Sequence, residues 1–137
     1  MSSMHFDTIT IGDVFSFERK ITKDDVLNFA SISGDQNKLH VDEAYGKTSI
    51  FGKNVVHGML AASLFSTLVG MYCPGENSLY LGQSLQFKLP IFYDDIVLVC
   101  GTVMNKNESI RVIVLKTEIF KDGKIVINGE AKVKVLE

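Results

Sequence analysis

A short polar stretch, SGDQNKLHVD at residues 33–42, brings an acid, an amide and an imidazole close together: Asp35, Asn37 and His40. A carboxylate and an imidazole that face one cleft can hold a water molecule, one group taking a proton and the other giving one. Asn37 can brace the loop by bonding backbone groups, a common role of Asn in turns. These residue types are also ordinary turn formers, so the stretch alone leaves a polar turn and a catalytic loop as open alternatives.

A second feature lies in VVHGML at residues 55–60, where Gly58 falls in the first turn of a predicted apolar helix. The free N–H groups at the start of a helix can bind an oxyanion, and glycine lets a carbonyl approach the backbone closely. An acid–base pair together with such a donor suits the addition or removal of water across a double bond conjugated to a thioester. The neighbouring His57 is interpreted as a hydrogen-bonded packing histidine.

Metal binding is a weaker interpretation of the polar stretch. Asp35, His40 and Asp42 are candidate ligands by residue type. A site with two histidines and one carboxylate would also need His57 or His5, which no helical spacing supports. The sequence therefore predicts no metal site.

Composition limits the class of protein. The chain has 137 residues, of which 46% are hydrophobic and 22% charged, which predicts one domain over residues 1–137 with a substantial core. The net charge is −2 and no basic run occurs, so nucleic-acid binding is not expected. The two cysteines, Cys73 and Cys100, match no CxxC or CxxH pattern and are typical of buried thiols in a reducing compartment. With no apparent secretion signal, we expect a cytoplasmic protein.

Residues 54–73, NVVHGMLAASLFSTLVGMYC, reach roughly the length of a membrane span. Asn54, His57 and several small hydroxyl residues interrupt the apolar run, and no basic cluster flanks it. The segment is therefore predicted to be a core helix that starts around Val56 or His57 and ends before Pro74.

Two shorter helices are predicted in the first half of the chain. Thr22 followed by Asp25 indicates a capping box at a helix start, and Gly34 is a natural stop for the same helix. A short helix is also expected around residues 42–47.

The second half of the chain changes to the period of two that is typical of strands with one buried face. In SLQFKLPIF the alternate apolar residues are predicted to be the buried face: Leu85, Phe87 and Leu89. Asp122-Gly123 predicts a two-residue hairpin turn, and Gly129 predicts a bulge in the last strand. The residues before the first helix can supply one more strand.

These elements predict an α+β fold. An antiparallel β-sheet wrapped around one long hydrophobic central helix would bury residues 56–72 on all sides. In a chain of this length that arrangement is the hot-dog fold.

The polar stretch also resembles a known signature. SGDQNKLH is similar to the G-D-x-N-P-[LIV]-H motif of MaoC-like (R)-specific enoyl-CoA hydratases, also called hydratase 2, and VVHGMLAASLFSTLVG and SLYLGQSLQFKLPIFYDD resemble the family's helix and following strand in the same order. The resemblance is closest to single-domain, short-chain members that supply (R)-3-hydroxyacyl-CoA to polyhydroxyalkanoate synthesis. It implies a hot-dog domain and the reversible hydration of trans-2-enoyl-CoA. It also implies a homodimer with its acyl tunnel near the subunit interface, an acyl-CoA substrate, and no metal or prosthetic group.

The resemblance assigns roles to individual residues. Asp35 and His40 match the pair that binds the catalytic water, and which of them is the base stays open. Asn37 matches the motif's bracing amide, and Gly58 matches the backbone donor to the thioester carbonyl. Ser66 matches a polar helix residue near the site.

Two further positions each have two possible roles. Lys38 replaces the proline of the signature, which leaves the loop looser; the lysine is either solvated or in contact with a phosphate of CoA or acyl carrier protein. Val69 is a candidate tunnel-lining residue, with plain core packing as the alternative.

Three other functions are alternatives to the hydratase. A (R)-3-hydroxyacyl-ACP dehydratase of fatty-acid synthesis keeps the chemistry and changes the carrier. A hot-dog thioesterase is disfavoured by the GD-x-N-x-x-H spacing. A non-catalytic acyl-CoA-binding module is disfavoured by the presence of both Asp35 and His40.

Overall fold

The β-branched second half of the chain forms most of one antiparallel sheet. The computed structural model describes residues 3–136, so the predicted domain limits at residues 1 and 137 lie outside the described part. The sheet has the order β1-β4-β5-β6-β2, and β3 pairs with β6. Within the described residues the strands are β1 (Val14–Lys20), β2 (Ser78–Gln83), β3 (Gln86–Phe87), β4 (Ile96–Asn107), β5 (Val112–Lys121) and β6 (Lys124–Val135).

The helices lie between β1 and β2, apart from a 3-10 turn at Phe6–Thr8. They are α1 (Lys23–Ser33), α2 (Lys38–Val41), α3 (Glu43–Thr48), α4 (Gly58–Ala62) and α5 (Leu64–Thr67), and a π-helical turn (Leu68–Tyr72) extends α5. The predicted short helix around residues 42–47 is confirmed as α3.

Local side-chain chemistry sets the ends of α1, as predicted. The Thr22 hydroxyl accepts a hydrogen bond from Asp25 N, and Asp25 Oδ2 accepts one from Thr22 N, which completes the capping box. The backbone hydrogen bond from Thr22 lowers the pKa of Asp25. At the other end Gly34 adopts φ 81°, a left-handed conformation that glycine reaches without a steric penalty.

The helical segment of residues 58–72 packs against the concave side of the sheet. Its last turn contacts β4 in the sheet interior and the two edge strands β1 and β2, so the sheet curves around it. Leu64, Phe65 and Leu68 enter a core cluster with residues of β4, β5 and β6. Gly101 on β4 permits this packing, because a Cβ there would lie 2.7 Å from Leu68 Cδ2. The predicted α+β arrangement is confirmed.

Two details of the predicted helix are wrong. The segment is interrupted at Ser63, whose hydroxyl donates to Leu60 O at 2.6 Å. Its outer face is also not enclosed, since Met59 is 57% exposed and Met71 44% exposed. The reason is that the sheet covers only one face of the segment. Among the described residues, no helix combines the length and apolarity needed to cross a membrane.

The hairpin prediction is confirmed and the bulge prediction is wrong. Asp122 and Gly123 have φ 50° and 75°, as a tight turn between β5 and β6 requires. The register of β5 and β6 is continuous at Gly129 and shifts instead beside Val126. Gly129 is needed for a close approach, because a Cβ there would lie 1.8 Å from Ser84 O.

The alternation in residues 84–92 also led to a wrong assignment. Only Gln86 and Phe87 form a strand there, and Phe87 is 52% exposed and Leu89 46% exposed, while Leu85 packs partly against the core. Phe87 and Leu89 border a cleft, so the apolar period at these positions does not indicate burial in the core.

The close approach at Gly129 gives a stability prediction. We expect Gly129→Ala to lower the free energy of unfolding by about 1–3 kcal/mol, because the added methyl group meets a backbone oxygen that cannot rotate away. Urea unfolding measures the change. Gly82→Ala on β2 is the matched control, since a Cβ there meets nothing within 4 Å, and it should change stability by less than about 0.5 kcal/mol. Equal effects of the two substitutions would contradict the packing argument.

Candidate active site

The polar stretch forms a braced loop between α1 and α2. Asp35 Oδ1 accepts a hydrogen bond from Asn37 N at 3.2 Å, and Asn37 Oδ1 accepts one from Leu39 N at 3.0 Å. Asn37 thereby caps α2 and makes the backbone contacts expected of it. Turns of this kind form because Asp and Asn side chains accept hydrogen bonds from backbone N–H groups two residues further on. They place Asp35 and His40 on the same side of the loop.

A buried amide ties this loop to the segment that precedes α4. Asn54 Nδ2 donates to Leu39 O at 3.0 Å and to Asp42 O at 2.9 Å, and Val55 N donates to Leu39 O at 3.2 Å. Gly46 leaves room for this amide, because a Cβ there would lie 2.6 Å from Asn54 Nδ2. This role of Asn54 was not predicted, because its only sign in the sequence is a polar residue in an otherwise apolar segment.

The contacts of His40 determine which of its nitrogens carries a proton. Nδ1 lies 2.7 Å from Val55 O, and a carbonyl oxygen can only accept a hydrogen bond, so Nδ1 carries the proton in the neutral ring. Nε2 then keeps its lone pair and can accept a proton. The hydroxyl of Tyr93 donates to His40 O, and burial raises the pKa of Tyr93 and keeps it a donor. His40 is therefore held by its side chain and by its backbone.

His57 lies against both members of the predicted pair. It is buried, its Nε2 lies 3.0 Å from Asp35 O and 4.0 Å from Asp35 Oδ2, and its ring stacks on His40 with centroids 3.9 Å apart. Phe29 covers another side of the ring at 4.9 Å. The predicted hydrogen bonding and packing are present, but the identity of its partners was missed, because residues separated by 17 and 22 positions leave no local signal.

Asp35, His40 and His57 could each offer a ligand atom to a metal ion, since these atoms lie within 4.8 Å of one another. The 4.0 Å between His57 Nε2 and Asp35 Oδ2 exceeds the roughly 3.4 Å between ligands on one tetrahedral zinc ion. His57 Nε2 is also engaged with Asp35 O. The grouping is therefore arranged for hydrogen bonding, and ligation would require the side chains to move together.

An apolar cleft of about 460 Å³ opens beside His40. Gly58, the first residue of α4, lines it, and the exposed Met59, Phe87 and Leu89 form its walls. A Cβ on Gly58 would lie 2.8 Å from the Phe87 ring, so only glycine fits here without displacing that wall. The first N–H groups of a helix have no partner within the helix, so Gly58 presents a donor to a cleft that suits an acyl chain.

Two predicted site residues do not lie at this cleft in the described chain. Ser66 is exposed on α5, eight residues beyond Gly58, or about 12 Å along the helical segment. Val69 is 1% exposed and belongs to a second core cluster with Phe6 and Val103. The tunnel assignment of Val69 is therefore corrected to core packing, because the cleft lies at the start of the segment and Val69 near its end.

These features match known proteins. A family model described as the MaoC like domain matches residues 7–134. The chain belongs to the MaoC-like family. The (R)-specific enoyl-CoA hydratase of Aeromonas caviae is 41% identical over 133 residues, which cover 96% of this chain and 99% of that one. The (R)-specific enoyl-CoA hydratase of Rhodospirillum rubrum is 36% identical, with 96% and 91% of the two chains covered.

Solved structures show the same likeness of fold. The (R)-hydratase from A. caviae, described as involved in PHA biosynthesis, superposes with a TM-score of 0.91 at 41% identity, covering 93% of this MaoC-like chain and 98% of that one. An unliganded R-hydratase from Pseudomonas aeruginosa gives a TM-score of 0.95 at 32% identity, covering 98% and 87%. The predicted hot-dog fold is thus confirmed.

The position of Lys38 explains how the MaoC-like loop accommodates either proline or lysine. Lys38 is exposed and is the first residue of α2, where proline is favourable because no intrahelical hydrogen bond is lost. The preceding residue, Asn37, has φ −56° and ψ 130°, a conformation that a following proline permits.

We therefore expect Lys38→Pro to raise the free energy of unfolding by about 0.4–1 kcal/mol, because proline restricts the unfolded chain without straining the folded one. Chemical denaturation measures the change. Lys38→Ala removes the same charge without stiffening the backbone and should change stability by less than about 0.5 kcal/mol. A lower stability of the proline variant would show that the loop geometry is incompatible with the family's residue.

Proposed function

We propose that this chain is an (R)-specific enoyl-CoA hydratase, a hydro-lyase that converts trans-2-enoyl-CoA to (R)-3-hydroxyacyl-CoA and catalyses the reverse dehydration. The observation that carries this proposal is the convergence of Asp35 and His40 beside an apolar cleft that Gly58 also lines. The sequence likeness to two (R)-specific enoyl-CoA hydratases over almost the whole chain supports the same reaction.

The groups at the cleft account for each bond change of the hydration. The acyl chain occupies the apolar cleft, and the thioester oxygen accepts a hydrogen bond from Gly58 N–H, which stabilises the negative charge that develops on the enolate. A water molecule held by Asp35 and His40 gives its hydroxyl to C3, while its remaining proton passes through the pair to C2. The pair ends in the protonation state in which it began, so the addition is balanced.

The same arrangement accounts for a single stereochemical outcome. Val55 O fixes the His40 ring, and the loop turns fix Asp35, so the bound water lies on one side of the substrate. With the thioester held at Gly58, only one face of C3 is presented to that water. We assign the (R) product to this face on the likeness to the (R)-specific enzymes.

Acyl-CoA is proposed as the substrate, and the reaction as one that uses no metal or prosthetic group. Hydration next to a thioester requires proton transfers and a hydrogen-bond donor, which Asp35, His40 and Gly58 supply. Lys88 lines the cleft and is exposed, so it can pair with a phosphate of the carrier. Because CoA and acyl carrier protein both present a phosphate, a comparison of the two thioesters distinguishes the hydratase from an ACP dehydratase.

A test of the function uses crotonyl-CoA and follows the loss of enoyl absorbance. We expect hydration to (R)-3-hydroxybutyryl-CoA, and we expect Asp35→Asn to lower kcat by about 10²–10⁴-fold because an acid–base group is lost. The melting temperature should stay near that of the wild type, since the Asp35 side chain is half exposed. Asp24→Asn, the same change at an exposed position in the first turn of α1, is the control and should retain full activity.

Two results would overturn the proposal. One is the absence of hydration by the folded protein across enoyl-CoA substrates of different chain length. The other is an (S) product. A marked preference for ACP thioesters would move the assignment to the dehydratase alternative.

We also propose a cytoplasmic location and a role in supplying (R)-3-hydroxyacyl-CoA for polyhydroxyalkanoate synthesis. Cys73 and Cys100 are free, and burial raises the pKa of Cys73 to about 12, so its thiol is inert in a reducing compartment. The role in synthesis is supported by the similar A. caviae hydratase that is described as involved in PHA biosynthesis.

A homodimer is proposed from the edge of the sheet. The edge strand β2 carries exposed Leu79 and Leu81, and exposed Met71 and Tyr72 lie on the helical turn that contacts this strand. An apolar edge strand offers unpaired backbone groups and apolar area, which a second copy of the chain can cover.

Light scattering should therefore give twice the chain mass of 15.2 kDa. Leu81→Lys should shift the population towards the monomer, because it places a charge in the proposed contact. Ile32→Lys changes an exposed apolar residue on α1 in the same way and should leave the mass unchanged. A monomeric wild type at all concentrations would exclude the dimer.

A further inference from the structure

His57 contacts both catalytic residues of the proposed reaction but does not line the cleft. Its Nε2 lies within hydrogen-bonding distance of Asp35 O, and its ring stacks on that of His40. The residues on either side of it, Val56 and Gly58, line the cleft, whereas His57 does not. It therefore has contact with the groups that handle water and is not in a position to touch the substrate.

The hydrogen bonding of His57 specifies its protonation. Asp35 O can only accept a hydrogen bond, so Nε2 carries the proton and Nδ1 has the lone pair. Within the described residues, Nδ1 is buried without a hydrogen-bond partner. Because an unpaired buried polar atom lowers stability, an apolar ring beside Phe29 would suit the fold better at this position. The imidazole thus serves something other than stability.

Asp35 is held within the loop by local hydrogen bonds, since its N–H group donates to Ser33 Oγ at 3.1 Å and its Oδ1 accepts from Asn37 N at 3.2 Å. Its side chain is half exposed, and Oδ2 faces His57 at 4.0 Å. The direction of the carboxylate therefore also depends on the position of the Asp35 backbone. The Nε2–H group of His57 binds that backbone at its carbonyl oxygen and attaches it to the segment that leads into α4.

The same ring restricts His40. The rings are 26° from parallel with centroids 3.9 Å apart, so His57 blocks one face of the His40 imidazole while Val55 O binds its Nδ1. Only a residue that is flat and that also donates a hydrogen bond at its far end can contact both catalytic residues in this way. Phenylalanine provides the flat ring without the donor, and glutamine provides the donor without the ring.

We infer that His57 is a positioning residue for the hydration, holding Asp35 through its Nε2–H group and His40 through ring stacking. This inference rests on the proposed function. It assigns His57 a role in the rate of the chemical step, because displacing a catalytic group by a fraction of an ångström is enough to lower that rate.

Three variants separate positioning from structural support. His57→Phe keeps the ring and removes the donor, and His57→Gln keeps a donor near the position of Nε2 and removes the ring. Phe29→Leu loosens the packing of a neighbouring ring against His57 and leaves the hydrogen bond in place. Steady-state kinetics with crotonyl-CoA and thermal unfolding are measured for each.

We expect His57→Phe to lower kcat by about 10- to 100-fold, with KM within about twofold of the wild type, because the lost contact acts on the chemistry and not on binding. Its melting temperature should equal or exceed that of the wild type, since a buried unpaired nitrogen is removed. His57→Gln should recover part of kcat. Phe29→Leu should lower the melting temperature while keeping kcat within about threefold.

A double-variant cycle tests whether His57 acts through Asp35. If it does, Asp35→Asn combined with His57→Phe should be no slower than Asp35→Asn alone, measured at high enzyme concentration. The inference is overturned if His57→Phe retains kcat within about threefold, if His57→Gln is as slow as His57→Phe, or if the two losses multiply. Absence of hydration by the wild type would instead overturn the proposed function, so the two failures are distinguishable.

Discussion

The buried amide of Asn54 is the contact on which the geometry of the site depends. Its two strong hydrogen bonds hold the carbonyl groups on either side of His40, so the loop is attached to the segment that leads into α4. A backbone hydrogen bond from Val55 to Leu39 reinforces the attachment. The next two residues of that segment are Val56, which lines the cleft, and His57, which reaches Asp35. If the amide were lost, the carbonyl groups would need other partners, and the contacts of His57 with Asp35 and His40 would loosen.

Other parts of the fold support this attachment indirectly. Val56 N bonds to Ile91 O, and Tyr93, a little further along, bonds to the His40 carbonyl, so the chain that leads into β4 also holds the loop. The helical segment starts at this point and continues into the core, where it shares a cluster with the sheet and with Val26 of α1. The cleft therefore lies where loop, helix start and sheet margin meet, and its chemical groups are supplied by backbone and side chains of all three.

The sequence predicted those features that local chemistry determines. The capping box of Thr22 and Asp25, and the Asp122-Gly123 turn, each depend on residues within three positions of one another, and both are present. The α+β class followed from the change in hydrophobic period. The proposed acid–base pair was predicted from residue types and resemblance, because the spacing of Asp35 and His40 permits convergence without requiring it.

Features that depend on distant contacts were not predicted. The partners of His57 and Asn54 lie more than ten positions away, and Tyr93 is 53 positions from His40, so no periodicity connects them. The alternation in residues 84–92 was misread because a cleft wall and a core face have the same apolar pattern. Gly129 was taken for a bulge because a strand glycine has two explanations, and only the position of Ser84 O separates them.

The attachment of the loop bears on how the site can change during evolution. Asp35, His40, their brace and their positioning ring all occur between residues 35 and 57, and most of their mutual hydrogen bonds close within that interval. Such a segment depends mainly on contacts between residues that are close in sequence, whereas the sheet around it joins strands from both halves of the chain. Mutations in residues 87–91 and at Ile127 can then reshape the cleft while the proposed water-binding groups stay intact, so that substrate range and reaction type can diverge separately.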